Sequence, residues 1–289
     1  MRAGFFTALI LFFLAPAVSA NPTDLNDFIN AKVEEFDVST RKVENPDGTA
    51  KYVVTKTPKK IPIIVIDAGH GGKDPGTIGN FARTKEKDLT LAYSKELAKQ
   101  LMNTQHYRVY LTRDKDVFLP LKTRVEKARK IKADLFISIH VNAIDDSKVS
   151  GFSIYTLSEK SSDKQAEMLA QKENRADIIN GVDFSGASRD IMNTLIDMSQ
   201  RESKNSSSNF SNIVIKSVKK SGIEVLQNTH RFAGFAVLTA PDMASTLIEL
   251  GYLSNKQEEK LLNSLSYKRK LTASLVEAIE QYFKKNKFD

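Results

Sequence analysis

Short apolar runs alternate with longer stretches of helical spacing from Ile61 onward, the pattern of a mostly parallel sheet covered by helices. Ile63-Ile64-Val65-Ile66 and Leu135-Phe136-Ile137-Ser138-Ile139 are runs bounded by polar or Gly positions and predict strands buried on both faces. Arg108 to Thr112, Phe235 to Leu238 and Ser245 to Leu250 predict further strands, and the alternation in Phe152 to Leu157 predicts an edge or half-buried one. Between them, Leu89 to Met102 puts Leu, Tyr, Leu and Leu on one helical face. Pro120 opens a second helix with Leu121, Val125 and Ala128 inward and Lys122, Arg124, Lys127, Arg129 and Lys130 outward, and Lys268 to Lys285 predicts a closing helix. The expected fold is α/β, a mostly parallel central sheet flanked by helices on both faces in a phosphorylase/hydrolase-like arrangement.

The rhythm breaks between Ser158 and Ser208. That stretch is polar and helix-prone, notably over Lys164 to Ala170 and Asp190 to Met198, and predicts a helical insertion between strands. Asn209 to Lys220 resumes an amphipathic helix. Upstream, residues 21–60 are mixed and polar, with a turn signal at Asn45-Pro46-Asp47-Gly48, and predict a linker or a small ordered leader such as a hairpin. Residues 61–285 form the expected main domain.

Composition changes the picture at the N-terminus. Met1-Arg2, the apolar stretch from Phe5 to Leu14 and Ala15-Pro16-Ala17-Val18-Ser19-Ala20 follow the charged, apolar and small-residue order of a secretory signal peptide, predicting cleavage after Ala20. No later segment has the length of uncharged apolar sequence that a transmembrane helix needs. The chain has no cysteine, which fits an oxidising compartment and excludes disulfides and thiolate metal sites. Its net charge of +8 favours anionic polymers, and secretion turns that preference away from nucleic acid toward cell-wall material or acidic lipid.

Polar residues in or beside apolar runs carry the candidate chemistry. His70 follows the first strand in Ile66-Asp67-Ala68-Gly69-His70-Gly71-Gly72, His140 follows the run at Leu135, and Glu249 interrupts Thr246-Leu247-Ile248-Glu249-Leu250. Both histidines are expected just past a strand's carboxyl end, where open α/β sheets bind ligands. A buried Glu249 demands a cation or donor nearby. Glu86, just ahead of the first helix, sits where a loop brings its carboxylate toward His70. His and carboxylate donors with an open position describe a catalytic zinc site. The Gly69 to Gly72 loop lacks the spacings of a phosphate cradle, and His106 and His230 read as surface or structural residues.

Five separated motifs carry a resemblance. Ile66 to Gly76, Thr84 to Asp88, Leu111-Thr112-Arg113, Ser138 to Asn142 and Ile248 to Asn255 together resemble the zinc-dependent N-acetylmuramoyl-L-alanine amidases of the Gram-negative cell-division type, over about Ile61 to Phe283. The resemblance implies that His70, Glu86 and His140 hold Zn²⁺, that Glu249 is the catalytic carboxylate and that Arg113 and Asn142 support the site. It also implies a periplasmic enzyme acting on peptidoglycan, an inserted helical plug that adds an acidic residue to the zinc, and an activator of metallopeptidase-like (LytM) fold. Residues 158–208 lie where the plug belongs; Glu173 is the preferred plug ligand, with Glu167 and Asp177 behind it. The leader is too short for the N-terminal targeting β-domain of many relatives. A zinc peptidase of carboxypeptidase type and a non-catalytic wall-binding protein are the competing readings, separated by assaying both bonds and by the presence of all four site residues.

Overall fold

The computed structural model of the chain describes residues 36–44, 50–58, 60–175, 177 and 199–285. The proposed signal peptide and the Asp190 to Met198 helix lie outside the described residues. Upstream of the main domain, β1 (Phe36–Glu44) and β2 (Ala50–Pro58) pair antiparallel across the Asn45 to Gly48 turn signal.

The main sheet contains β3 (Ile63–Ala68), β4 (Arg108–Leu111), β5 (Leu135–Asn142), β6 (Phe152–Leu157), β7 (Val225–Ala233) and β8 (Ala244–Tyr252) in the order β4-β3-β5-β8-β6-β7. β4, β3, β5 and β8 are mutually parallel; β6 runs antiparallel to β8, and β7 follows β6 in parallel. The helices are α1 (Glu86–Thr104), α2 (Leu121–Lys130), α3 (Lys164–Asn174), α4 (Ser199–Lys220), α5 (Lys256–Leu262) and α6 (Leu265–Lys285).

Strand parity divides the core in two. Ile64, Ile66, Ile137, Ile139, Ile248 and Leu250 face one way and pack with Leu97, Phe210, Val214, Leu275 and Ile279 from α1, α4 and α6. Val65, Phe136, Leu247 and Tyr155 face the other way and pack with Val125, Ala128, Leu169 and Ala170 from α2 and α3. Further along the second face the side chains turn polar: Asp67 is registered opposite Ser138, and His140 opposite Glu249. That polar band at the carboxyl end of the parallel strands is where the site forms.

Several expectations are corrected. Phe152–Leu157 is an interior strand with five of its six residues buried, because β7, which has no clean sequence signal, covers its outer side. Ala236–Leu238 is a 3₁₀ turn rather than a strand, its two buried apolar side chains contributing to the α2–α3 core. His140 lies inside β5, not past its end. Glu86 is the first residue of α1 rather than a loop residue. The helix expected at Asn209 already runs from Ser199. Arg124, expected on the solvated face of α2, is buried at 2% exposure. Among the described residues, no helix is long and apolar enough to cross a membrane.

Candidate metal centre

His70, Glu86, His140 and Glu173 are all buried and each offers one ligand atom, the four atoms lying within 4.8 Å of one another. His70 Nε2 is 3.0 Å from Glu86 Oε1 and 3.3 Å from Glu173 Oε2; His140 Nδ1 is 3.1 Å from Glu86 Oε1 and 3.2 Å from Glu173 Oε2. A tetrahedral zinc with bonds of roughly 2.0–2.1 Å spaces its ligand atoms about 3.3–3.4 Å apart. His70 Nε2 and both Glu173 oxygens are buried without a hydrogen-bond partner despite these short approaches. Orphaned donors converging on one point fit a bound cation, and the nitrogen and oxygen donor set suits a divalent transition metal.

Each donor is held by its local structure. His70 adopts a left-handed backbone with φ of 59°, which is uncommon for a residue with a side chain. Its Nδ1 meets Asp74 Oδ2 at 2.8 Å, leaving Nε2 to face the cluster. Glu86 accepts hydrogen bonds from the backbone N–H of Thr77 through Oε2 and of Val141 through Oε1. Gly76 makes room for it: a Cβ there stands 2.6 Å from Glu86 Oε2. Glu173 reaches in from the last turn of α3. Its neighbour Lys172 donates from Nζ to Thr77 Oγ1 at 2.8 Å and lies 3.2 Å from Glu173 Oε1.

Electrostatics follow from burial and mutual contact. Burial opposes charge on His70 and His140, yet the Glu86 and Glu173 carboxylates hold His70 well above the ordinary histidine range and His140 up to about 9. Burial likewise opposes charge on Glu86, but the two imidazoles hold its carboxyl below the usual range. Lys172 and the imidazoles do the same for Glu173. Glu249 differs: burial dominates, both oxygens lack hydrogen-bond partners, and the carboxyl is pushed up to about 8.

The remaining predicted residues separate by role. Arg113 is buried and donates to the carbonyls of Ala68, Gly69 and Lys87 at 2.8–2.9 Å. Asn142 ends β5 and accepts from its neighbour Ala143 N. Asp177 caps α2 by accepting from Leu121 N, while Glu167 is exposed on α3 and away from the cluster. His106 is exposed, and His230 Nε2 pairs with Thr156 Oγ1.

Sequence reasoning missed a supporting layer. Asp67 accepts from Thr112 Oγ1 and Ser138 Oγ and pairs with Arg124 Nη1 at 2.9 Å. The available signal was a polar residue inside each apolar strand, Asp67 in β3 and Ser138 in β5. Asp74 lies within the Ile66 to Gly76 motif, but its role emerges only from its contact with His70 Nδ1.

Comparison with known proteins gives a consistent match. The family model described as N-acetylmuramoyl-L-alanine amidase matches residues 64–281. The chain is 35% identical over 266 residues to N-acetylmuramoyl-L-alanine amidase AmiC of Escherichia coli O6:H1, covering 91% of this chain and 63% of that protein. It is 38% identical over 226 residues to AmiC of Neisseria meningitidis serogroup B, covering 76% of this chain and 52% of that protein. It thus spans about half to two thirds of the length of these two relatives. Among solved structures, the catalytic domain of CwlV, an N-acetylmuramoyl-L-alanine amidase from Bacillus (Paenibacillus) polymyxa var. colistinus, superposes with a TM-score of 0.57 at 26% identity, covering 77% of this chain and 98% of that one.

Proposed function

This chain belongs to the N-acetylmuramoyl-L-alanine amidase family, and from that premise we propose that it hydrolyses the amide between N-acetylmuramic acid and L-alanine in peptidoglycan, with zinc as its metal. The observation that carries the reading is the converging set of His70, Glu86 and His140 beside an unpartnered buried Glu249. Bound at the three donors, Zn²⁺ would polarise the amide carbonyl and make water a nucleophile at neutral pH. Glu249 accepts the proton of the attacking water and returns it to the alanine nitrogen as the carbon–nitrogen bond breaks, so one carboxylate serves first as base and then as acid. A carboxyl raised by burial suits both tasks, because neither its charged nor its neutral form is strongly preferred near neutrality. Asp74 fixes which His70 nitrogen faces the metal, and Arg113 holds the loop behind it.

Glu173 completes the reading as an autoinhibitory ligand. A catalytic zinc keeps a position open, whereas here a fourth donor from α3 stands within 3.2–3.3 Å of both imidazoles. In this reading Glu173 would hold a bound zinc alongside His70, Glu86 and His140 and so compete with the substrate for it, and an activator, for which a LytM-type fold is the family-based expectation, withdraws the segment carrying α3. Delivery to the periplasm by residues 1–20 and a part in daughter-cell separation belong to the same reading.

The test is release of intact stem peptides from purified peptidoglycan by the zinc-loaded protein. The reading expects slow release by the wild type, faster release by Glu173→Ala, and none by Glu249→Ala or Glu173→Ala/Glu249→Ala. Cleavage within the stem peptide would favour the carboxypeptidase-type alternative, and absence of release from every zinc-bound, folded form would favour a binding role.

A further inference from the structure

The left-handed conformation of His70 is set by two peptide planes, and each is pinned by a different buried arginine. Rotation about φ of His70 is fixed by the plane carrying the Gly69 carbonyl, which accepts from Arg113 Nη2 at 2.8 Å. Rotation about ψ is fixed by the plane carrying the His70 carbonyl, which accepts from Arg124 Nη2 at 2.8 Å. Arg124 Nη1 also donates to the Ala68 carbonyl at 2.6 Å and to Asp67 Oδ1 at 2.9 Å, and its Nε donates to the Leu119 carbonyl at 2.9 Å. One guanidinium thus ties the end of β3, the His70 turn and the entry to α2 together. A planar fork of five donors can do this; a single ammonium cannot.

We propose that Arg124, charge-paired with Asp67, is a positioning residue for the metal centre: by holding the His70 carbonyl it keeps the left-handed turn that aims Nε2 at Glu86, His140 and Glu173. This rests on the reading of His70 as a metal ligand. A long cationic side chain on α2 would ordinarily point to water, as its neighbours Lys122, Arg129 and Lys130 do. Its burial brings a charge into the interior, which Asp67 compensates. Asp67 is in turn fixed by Thr112, just past the end of β4, and by Ser138 of β5, the two strands beside β3.

A merely structural role and a positioning role differ in what a charge-neutral replacement restores. Arg124→Met leaves Asp67 buried without its cation and lowers thermal stability. Asp67→Asn/Arg124→Met removes the two charges together and recovers much of that stability, but leaves the His70 carbonyl without its donor. The measurement is zinc affinity of the full chain by competition with a chromogenic chelator, alongside the visible spectrum of the Co²⁺-substituted protein and the melting temperature. The expected result is a zinc affinity about 10- to 100-fold below wild type in both the double variant and Arg124→Lys, the range of a lost outer partner of a metal ligand, with an altered Co²⁺ spectrum in each. Wild-type zinc affinity and Co²⁺ spectrum in the folded double variant would overturn the inference while leaving the metal reading intact. Failure of the wild type itself to bind zinc would overturn the metal reading and the inference with it.

Discussion

His140 and Glu249 are direct partners across the parallel β5–β8 pair, while Ser153 of β6 flanks Glu249 on the other side. A proposed ligand and a proposed proton carrier are therefore fixed on neighbouring interior strands of the sheet, at 4% and 1% exposure. This placement allows chemistry to be removed without removing structure. In Glu249→Gln, zinc content should match wild type, and the melting temperature should be unchanged near pH 7, where the raised carboxyl is largely protonated, and higher above pH 8, where the wild type must bury a charge. Stem-peptide release in a Glu173→Ala background should fall roughly 10²- to 10⁴-fold, the usual contribution of a positioned acid–base group. Release as fast as from Glu173→Ala alone would remove Glu249 from the mechanism.

Gly69 tests the packing behind His140. A Cβ at this position stands 2.5 Å from His140 Cε1 and 2.6 Å from Nε2, closer than any atom can be accommodated without movement. Gly69 also donates to the Ile139 carbonyl at 3.0 Å, so its backbone cannot retreat without breaking the link to β5. Gly69→Ala should displace the imidazole, cost about 1–3 kcal/mol in stability as an overpacked core site, and weaken zinc binding at least tenfold, as roughly expected when a ligand's support is disturbed. Denaturant titration and chelator competition read the two effects separately; a tenfold loss of affinity without destabilisation would contradict the steric explanation.

What could be read from the sequence depended on whether a residue's role was local. Strand cores at Ile63 to Ile66 and Leu135 to Ile139, and the helix after Leu89, follow from continuous or periodic apolar runs, whose burial is a property of the run itself. His70 and His140 stand out beside apolar runs and Glu86 ahead of the first helix, the motif resemblance implies that these three hold the metal, and Glu173 follows from the position of the insertion; the structure brings the four together. Arg124 was not legible, because its helical position and charge both indicate solvent, and only the third dimension sets Asp67 and the His70 carbonyl against it. β7 escaped notice because, as an edge strand, it keeps four of its first five residues from full burial and shows no clean alternation. Asp67 and Ser138 were visible as polar interruptions, but what they bind lies across β3, β5, α2 and Thr112 just past β4.

Metal removal should reverse the sign of part of the pH dependence. In the metal-free protein, the facing carboxylates outweigh the opposing effect of burial and leave His140 raised from 6.5 to about 9, so the stability it contributes is fully present below pH 6.5 and is lost as pH rises through 9. Burial raises Glu249 from 4.5 to about 8, and its contribution is likewise present below pH 4.5 and lost as pH rises through 8. Zinc binds neutral imidazoles and displaces their protons, so its affinity rises over the same window. The melting temperature of the chelated protein should therefore fall between pH 6.5 and 9, and the increase produced by zinc should be larger at pH 8.5 than at pH 6.5. A zinc increment that shrinks with pH would mean that the imidazoles are not the groups displaced.

If Glu173 acts as the proposed plug, its hold on the site should be set by how α3 is seated at its two ends. At the start of the helix, Asp163 accepts from Ala166 N as an N-cap and is ion-paired with the buried Arg231 of β7. At the far end, Asn174 Oδ1 accepts from Ala236 N and its Nδ2 donates to the Gly234 carbonyl, both at 2.8 Å. The side-chain hydrogen bonds of both residues go to groups other than the four donors, so altering them tests occupancy of the site without changing its chemistry. Loss of an N-cap costs about 1 kcal/mol, and each 1.4 kcal/mol shifts a two-state equilibrium about tenfold. Asp163→Ala and Asn174→Ala should each raise basal stem-peptide release several-fold, and the double variant should raise it further. Glu173→Ala should make the seating residues irrelevant, so adding Asp163→Ala to it should change release little. This comparison uses point variants because removal of residues 158–208 would also cut into α4, where Ser207 Oγ accepts from Ser245 N of β8. If the seating variants loosened α3, as measured by amide exchange, without raising release, Glu173 would be a resident ligand of the metal rather than a plug.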